Sequence, residues 1–204
     1  MDKKIFCIMG ASATGKTTLV NHMKKWGIEE LRSTTTRAMR PGEINGESYY
    51  FVTKEEFDGM DKVEETFYSG NYYCLSKAEV DSKLMNNDFV SVVLDKEGVE
   101  QLKEKYRDMV VVIYLYSTIE EIIRRMNIRG DTFGSIISRI ENYFKNKEGQ
   151  NNDIADHIIR SKDLKLVIKQ MKTIVRYEGY SWWNFLCGYF KYMWKKVFKL
   201  GGIK

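Results

Sequence analysis

Hydrophobic residues in this chain come in two textures. Residues 4–9 (KIFCIM), 89–94 (FVSVVL) and 109–116 (MVVVIYLY) are short, nearly continuous apolar runs rich in β-branched side chains. Runs of that kind predict strands of a sheet covered on both faces. Elsewhere the apolar positions recur at helical spacing: residues 16–26, 77–85, 98–106, 119–128 and 164–176 predict helices, and 54–60 one or two helical turns. Strand and helix in alternation predict an α/β fold, a parallel sheet flanked by helices. The stretch before Phe89 differs in texture. Residues 31–48 are rich in Thr, Arg, Gly and Glu and hold the single proline, Pro41, so loop and short strand are expected there, with another strand at 49–52. We read a small inserted subdomain at about residues 33–76, set on a core of about 1–32 and 77–176.

Composition changes this picture in one place. With 204 residues, 43% of them hydrophobic, there is room for one domain and a modest appendage. The formal charge of +5 suggests a polyanion partner until it is located along the chain. Residues 178–204 hold five lysines and one glutamate, so +4 resides there and residues 1–177 carry only +1. A body so close to neutral is not expected to bind nucleic acid. The same tail carries nine aromatic residues, including three of the four tryptophans. No run of 18 apolar residues occurs, and the N-terminus lacks a cleavage pattern, which together point to the cytoplasm. Cys7, Cys74 and Cys187 are odd in number and far apart, and His22 and His157 lack partners at ligand spacing. Neither a disulfide framework nor a zinc site is expected.

The segment G-A-S-A-T-G-K-T at 10–17 follows a predicted strand and opens a predicted helix, the context in which G-x-x-x-x-G-K-[ST] is a phosphate loop. Gly10, Ala11, Ser12, Ala13, Thr14, Gly15, Lys16, Thr17 and Thr18 are therefore the candidate ATP-binding residues. Glycines let backbone N–H groups turn inward around a polyphosphate, and the helix N-terminus adds partial positive charge. Lys16 can reach the β- and γ-phosphates, and the Thr17 hydroxyl can ligate Mg²⁺ brought in with ATP.

Downstream, residues 33–52 read S-T-T-T-R-A-M-R-P-G-E-I-N-G-E-S-Y-Y-F-V. This resembles the guanylate kinase family signature of S-x-T-T-R, a second Arg, G-E and G-x-x-Y-x-F-V. The resemblance continues through E-E-F-D-G-M (55–60), S-G-N-Y-Y (69–73), L-D-K-E-G-V (94–99), R-M-N-I-R-G (125–130) and D-H-I-I-R-S-K-D-L (156–164), in order over about residues 3–176. It implies a P-loop kinase fold with a lid at about 125–145, and transfer of the ATP γ-phosphoryl group to GMP, with dGMP as a second acceptor. Arg37 and Arg40, three apart, can converge on one phosphate through charge-assisted hydrogen bonds. By resemblance, Tyr49 and Tyr73 join them, Glu64 reads guanine with help from Ser33, and Asp95 lies near the magnesium and acceptor. Arg129 and Arg139 match lid arginines that act on the γ-phosphate, with Arg125 a weaker match. A carboxylate accepts from guanine N1–H and the 2-amino group together, whereas adenine N1 is itself an acceptor. No protein base is needed, because the acceptor oxygen is already anionic; alignment and charge neutralisation suffice.

Four positions depart from the family pattern. Met39 stands where a proline separates the two arginines, and the stretch between Met60 and Ser69 is short. Cys74 and Leu75 follow Tyr73 where the family has Gly and then a Ser or Thr that meets guanine O6. Either Ser76 substitutes or base selectivity is weaker. Arg160-Ser161 replaces the late V-x-N, which bears on the adenine side of the donor. Two other readings stand beside the leading one: a P-loop kinase for another phosphorylated nucleotide or sugar, and a non-catalytic module that binds a phosphorylated partner. An intact Gly15-Lys16-Thr17 speaks against the module. Outside the resemblance, residues 180–199 have amphipathic helical spacing, with Trp182, Leu186, Tyr189, Met193 and Val197 along one side and Lys191, Lys195 and Lys199 on the polar stripe. That pattern fits a peripheral membrane anchor and equally a helix docking on the core or in self-association.

Overall fold

The computed structural model describes residues 3–40, 42–68 and 70–179. In chain order the elements are β1 (Lys4–Gly10), α1 (Lys16–Lys25), β2 (Glu29–Glu30), β3 (Thr34–Thr35), β4 (Tyr50–Phe51), α2 (Lys54–Asp58), β5 (Lys62–Tyr68), β6 (Asn71–Ser76) and α3 (Lys77–Asn86). They continue with β7 (Phe89–Val93), α4 (Lys96–Tyr106), β8 (Val110–Tyr116), α5 (Ile119–Arg129), α6 (Phe133–Lys145), β9 (His157–Arg160) and α7 (Leu164–Tyr177).

The main sheet has the order β2-β7-β1-β8-β9 with every pairing parallel. The first strand is central, with Cys7 opposite Val92 on one side and Val112 on the other. Connections run to one side of β1 through β2 and β7, then to the other through β8 and β9. That reversal opens a crevice at the carboxyl end of β1, the place where open α/β sheets bind ligands. Alternation along β1 sends Phe6 and Ile8 to the face covered by Leu19, Val20 and Met23 of α1 and by Val167, Met171 and Val175 of α7. Ile5, Cys7 and Met9 face Val80 and Leu84 of α3 and Val99 and Leu102 of α4. With both faces covered, the strands read as continuous apolar runs.

A second sheet, β4-β3-β6-β5, draws its strands from residues 34–76. The β3–β4 pairing is parallel, and β6 runs antiparallel to both β3 and β5. The β5–β6 register shifts between Lys62 and Glu64. In a regular strand Val63 and Glu64 would face opposite sides, yet both are buried, at 2% and 3% exposure. The bulge re-aims Glu64 into the interior. It also breaks the period of two, which is why the pattern of the sequence does not announce β5. Two further elements go beyond the sequence reading. Helix α6 packs Ile136, Ile140 and Tyr143 with Ile122 and Met126 of α5 while leaving Phe133, Ile137 and Phe144 exposed. Strand β9 is four residues long and exposes Ile158.

The proposed C-terminal amphipathic helix at 180–199, like Pro41 and Ser69, lies outside the described residues. Among the described residues no helix is long and apolar enough to cross a membrane.

Gly10 ends β1 at φ +140°, and a Cβ built there would sit 2.4 Å from the Leu115 carbonyl oxygen on β8. Gly10→Ala must push backbone against backbone while adopting a φ that L-residues avoid. We expect it to lower unfolding free energy by about 2–4 kcal/mol in urea titrations; a loss below about 0.5 kcal/mol would contradict the close approach.

Candidate active site

The turn after β1 is shaped by where its carbonyls go. Lys16 Nζ donates to the Gly10 and Ala11 carbonyls at 2.7 and 2.8 Å, and the buried Thr14 hydroxyl donates to Ala11 O at 2.8 Å. The Arg125 guanidinium donates to Ala13 O at 3.3 Å, Ser161 Oγ to Thr14 O at 2.6 Å, and Leu19 N to Gly15 O at 2.9 Å. Ala13 and Gly15 take positive φ of 60° and 96°. With carbonyls tied outward, the loop amides are left to converge on an anion at the N-terminus of α1. Burial pulls Lys16 down to about 8, opposed by the Glu148 carboxylate and reinforced by Arg139. Thr17 and Thr18, both exposed, stand in the first turn of α1.

Arg125, the weaker of the lid candidates, proves to be a brace. It also donates to the Ser117 hydroxyl and to both the hydroxyl and the carbonyl of Ser161. Ser161, which stands where the family has Asn, is thereby committed to holding the phosphate loop. The lid arginines share Asp131, but only one is seen to reach the loop. Arg139, on α6, donates to Ser12 Oγ at 2.6 Å and so reaches the loop. Arg129, at the end of α5, is instead held on the exposed surface by Asp131, with Nε donating to Oδ1 at 2.8 Å.

On the acceptor side, Arg37 follows β3 and lies over the Tyr49 and Phe51 rings at 5.6 and 5.5 Å. Tyr49 and Tyr73 meet edge to face at 6.0 Å. Three residues chosen from the sequence for one phosphate thus come together. Arg40 is exposed nearby, and its backbone N–H donates to Glu43 Oε2 at 2.7 Å. The other oxygen of Glu43 accepts from Arg37 Nη2 at 2.7 Å. Glu43 was not among the expected site residues. Its signal was present in the G-E pair of the motif, but only the fold shows it organising both arginines. Hydrogen bonding to Glu43 raises Arg37 further and lowers Glu43.

Glu64 and Asp95 converge from the two sheets. Asp95 caps α4 just beyond β7, accepting from Gly98 N at 2.8 Å, and a Cβ on Gly98 would lie 3.2 Å from Glu64 Oε2 and 3.3 Å from Asp95 Oδ1. The short 60–69 stretch therefore still delivers Glu64 to the core. One side of its carboxyl faces the Leu75 N–H, while Oε2 is buried without a partner. Burial first, and then the Asp95 charge, push Glu64 up to about 8. Cys74, also raised, and the unpartnered Thr34 hydroxyl lie beside it in the second sheet. Ser76 Oγ caps α3, accepting from Glu79 N at 3.2 Å. Leu75 is fully buried in the core. Ser33, at the start of β3, is half-buried, and its carbonyl accepts from Tyr50 N.

The family model for guanylate kinase matches residues 2–178. A guanylate kinase of Buchnera aphidicola subsp. Baizongia pistaciae is 31% identical over 180 residues, covering 84% of this chain and 86% of the relative. One from Clostridium tetani is 34% identical over 152 residues, covering 69% and 71%. The crystal structure of guanylate kinase from Anaplasma phagocytophilum matches with a TM-score of 0.60 at 23% identity, over 89% of this chain and 88% of that one. That last likeness speaks to the fold.

The buried carboxyl has a measurable cost. Glu64 is raised from an ordinary 4.5 to about 8, so its favourable contribution to folding is complete below 4.5 and is lost as pH rises through about 8. Glu64→Gln removes that dependence. Thermal unfolding followed by circular dichroism should show the variant gaining on the native protein between about pH 5.5 and about pH 8.5; a difference independent of pH would refute the buried, neutral carboxyl.

Proposed function

The chain belongs to the guanylate kinase family, and from that premise we propose how its residues divide the work. The protein transfers the γ-phosphoryl group of ATP to GMP, yielding ADP and GDP. The observation that supports the division is the approach of Glu64 to Asp95 at Gly98, Asp95 lying at the carboxyl end of β7 next to β1 and its phosphate loop; Arg37, Tyr49 and Tyr73 form a second grouping.

In this reading the loop amides from Ala11 to Thr18 and the Lys16 ammonium hold the donor triphosphate, and Mg²⁺, carried with ATP and met by Thr17, neutralises charge on its oxygens. Arg37, Arg40, Tyr49 and Tyr73 fix the acceptor phosphate. Glu64, as a carboxylate, accepts from guanine N1–H and the 2-amino group; Ser33 and Asp95 flank it. Arg139 supplies positive charge to the phosphoryl group in flight. Arg129 would do so only after leaving Asp131. The rate gain comes from alignment and fixed charge, with the acceptor's own oxygen as nucleophile. None of these groups addresses the ribose, so dGMP should be a second acceptor.

One observation favours keeping base selectivity open. With Leu75 apolar and the Ser76 oxygen accepting at the cap of α3, discrimination falls mainly on Glu64. The tail is a separate matter. Its root, Glu178, accepts from or pairs with His157 at the start of β9 and Lys4 at the start of β1. Glu178 thus lies at the amino ends of the strands, opposite the crevice. For residues 180–199 the composition supports two roles, peripheral attachment to an anionic membrane and self-association.

Coupled ADP-release assays across GMP, dGMP, AMP, UMP and CMP should show turnover with the two guanine nucleotides. No turnover with GMP would refute the assignment. Lys16→Ala should lower kcat by about 10²–10³-fold. Glu64→Gln should erode the preference for GMP over AMP, and an unchanged preference would remove Glu64 from the base site. Sedimentation with anionic vesicles should deplete the full chain but not a chain ending at residue 176; equal recovery of both in the supernatant would reject the anchor.

A further inference from the structure

The chain crosses between the main sheet and the inserted sheet twice, at about residues 32–33 and 76–77. One buried carboxylate that the proposed chemistry leaves unused reaches both crossings. Glu79 is 7% exposed and stands in the first turn of α3, three residues after the second crossing. Its Oε1 accepts from the Arg32 backbone N–H, at the first crossing, at 3.1 Å. Its Oε2 accepts from the Tyr50 hydroxyl of β4, also at 3.1 Å.

Local sequence offers Glu79 a different role. Ser76-Lys77-Ala78-Glu79 has the S-x-x-E spacing of a capping box, in which the glutamate turns back to the N–H of its own cap residue. Glu56 in α2 and Glu121 in α5 do this, accepting from Thr53 N at 2.8 Å and Thr118 N at 3.1 Å. Glu79 keeps only half of the box: its N–H donates to Ser76 Oγ, while its carboxylate oxygens reach across to the other connection. Burial, and then the Glu79 charge, raise the Tyr50 hydroxyl, which therefore stays protonated as the donor. Val80 and Leu84 seat α3 in the core, and Leu31 N donates to Ser91 O of β7 at 2.8 Å. The first crossing is thus tied to the main sheet at one residue and to Glu79 at the next. Its partners adjoin acceptor residues: Arg32 precedes Ser33, whose carbonyl accepts from Tyr50 N, and Tyr50 follows Tyr49.

We propose that Glu79 is a positioning residue for phosphoryl transfer: it clamps the two crossings together and so holds the inserted sheet, with its acceptor groups, in line with the phosphate loop. The inference rests on the reading of Ser33, Arg37, Tyr49, Glu64 and Tyr73 as the acceptor site. Glu64 and Asp95 come from different sheets, so their approach at Gly98 depends on how those sheets are held. A misplacement of about 1 Å between reacting groups costs about 10²-fold in rate. Glu79 acts on that spacing through the Arg32 backbone and the Tyr50 ring.

Steady-state kinetics with GMP varied, and calorimetric titration with GMP and with ADP, test this on the full chain and on Glu79→Gln, Glu79→Ala and Tyr50→Phe. Glu79→Ala should lower kcat/KM for GMP about 10²-fold, while ADP affinity, a property of the main-sheet loop, shifts by less than about twofold. Glu79→Gln can still accept from the Arg32 N–H and donate to the Tyr50 oxygen, and should recover most of that loss. Tyr50→Phe should lower kcat/KM about fivefold alone and not at all beside Glu79→Ala, because the pair is then already broken. Should Glu79→Ala fail to fold, Tyr50→Phe, which deletes one hydroxyl, carries the test. Native kcat/KM in Tyr50→Phe and Glu79→Ala, additive losses in the double variant, or a loss matched by equal loss of ADP affinity would overturn the proposal and leave Glu79 a fold-stabilising residue only. Absence of GMP binding by the native protein would instead overturn the acceptor-site reading on which it rests.

Discussion

The structure depends on the approach of two backbones. Gly10 packs so closely on the Leu115 carbonyl that no side chain fits between β1 and β8 at their carboxyl ends. The chain leaves the sheet there and must turn at once. Every carbonyl that the turn exposes from Gly10 to Gly15, apart from that of Ser12, is then taken by a donor from Lys16, Thr14, Arg125, Ser161 or α1. What remains unspent is a set of amides at a helix N-terminus. An anion site follows from hydrogen-bond accounting at the backbone.

The acceptor side is built by a different constraint, the burial of one carboxyl. A bulge in β5 turns Glu64 inward, and Gly98 at the start of α4 leaves the space in which it meets Asp95. Two sheets thus share a site that neither makes alone. The unpartnered Oε2 is destabilising in the empty protein, and a base with two adjacent N–H donors relieves that penalty. In the proposed reading, selectivity and stability meet at the same atom.

A common arrangement runs through the charged groups. Arg37 rests on Glu43, Arg129 on Asp131, Lys16 on loop carbonyls with Glu148 nearby. Most of the cations that phosphate would claim in the proposed reading already have an internal partner. Isolated charges in a half-buried crevice are costly, so the empty enzyme stays balanced, and substrates must exchange partners and not merely fill a hole. The near-neutral body, +1 over residues 1–177, reflects this pairing along the chain.

The sequence by itself determined the elements whose burial is uniform. Strands β1, β7 and β8 are covered on both faces and read as apolar runs, and the helices against them show one apolar stripe each, so the α/β core and the phosphate loop were legible from residue order alone. The ordered motifs singled out Arg37, Tyr49, Tyr73, Glu64 and Asp95 as candidate site residues, and the fold groups Arg37 with the two tyrosines and Glu64 with Asp95. Only the tertiary structure decided what non-local contacts control. Strand β5 was hidden because its bulge buries Val63 and Glu64 together, and α6 because exposed Phe133, Ile137 and Phe144 blur the period of its packed face, Ile136, Ile140 and Tyr143. Which arginine reaches the loop was set by partners distant in sequence: Ser12 claims Arg139, Asp131 keeps Arg129, and Arg125 is spent on Ala13 and Ser161. Local pattern records how a segment is buried. It does not record which distant group will satisfy a charge, and in this protein that choice assigns the roles.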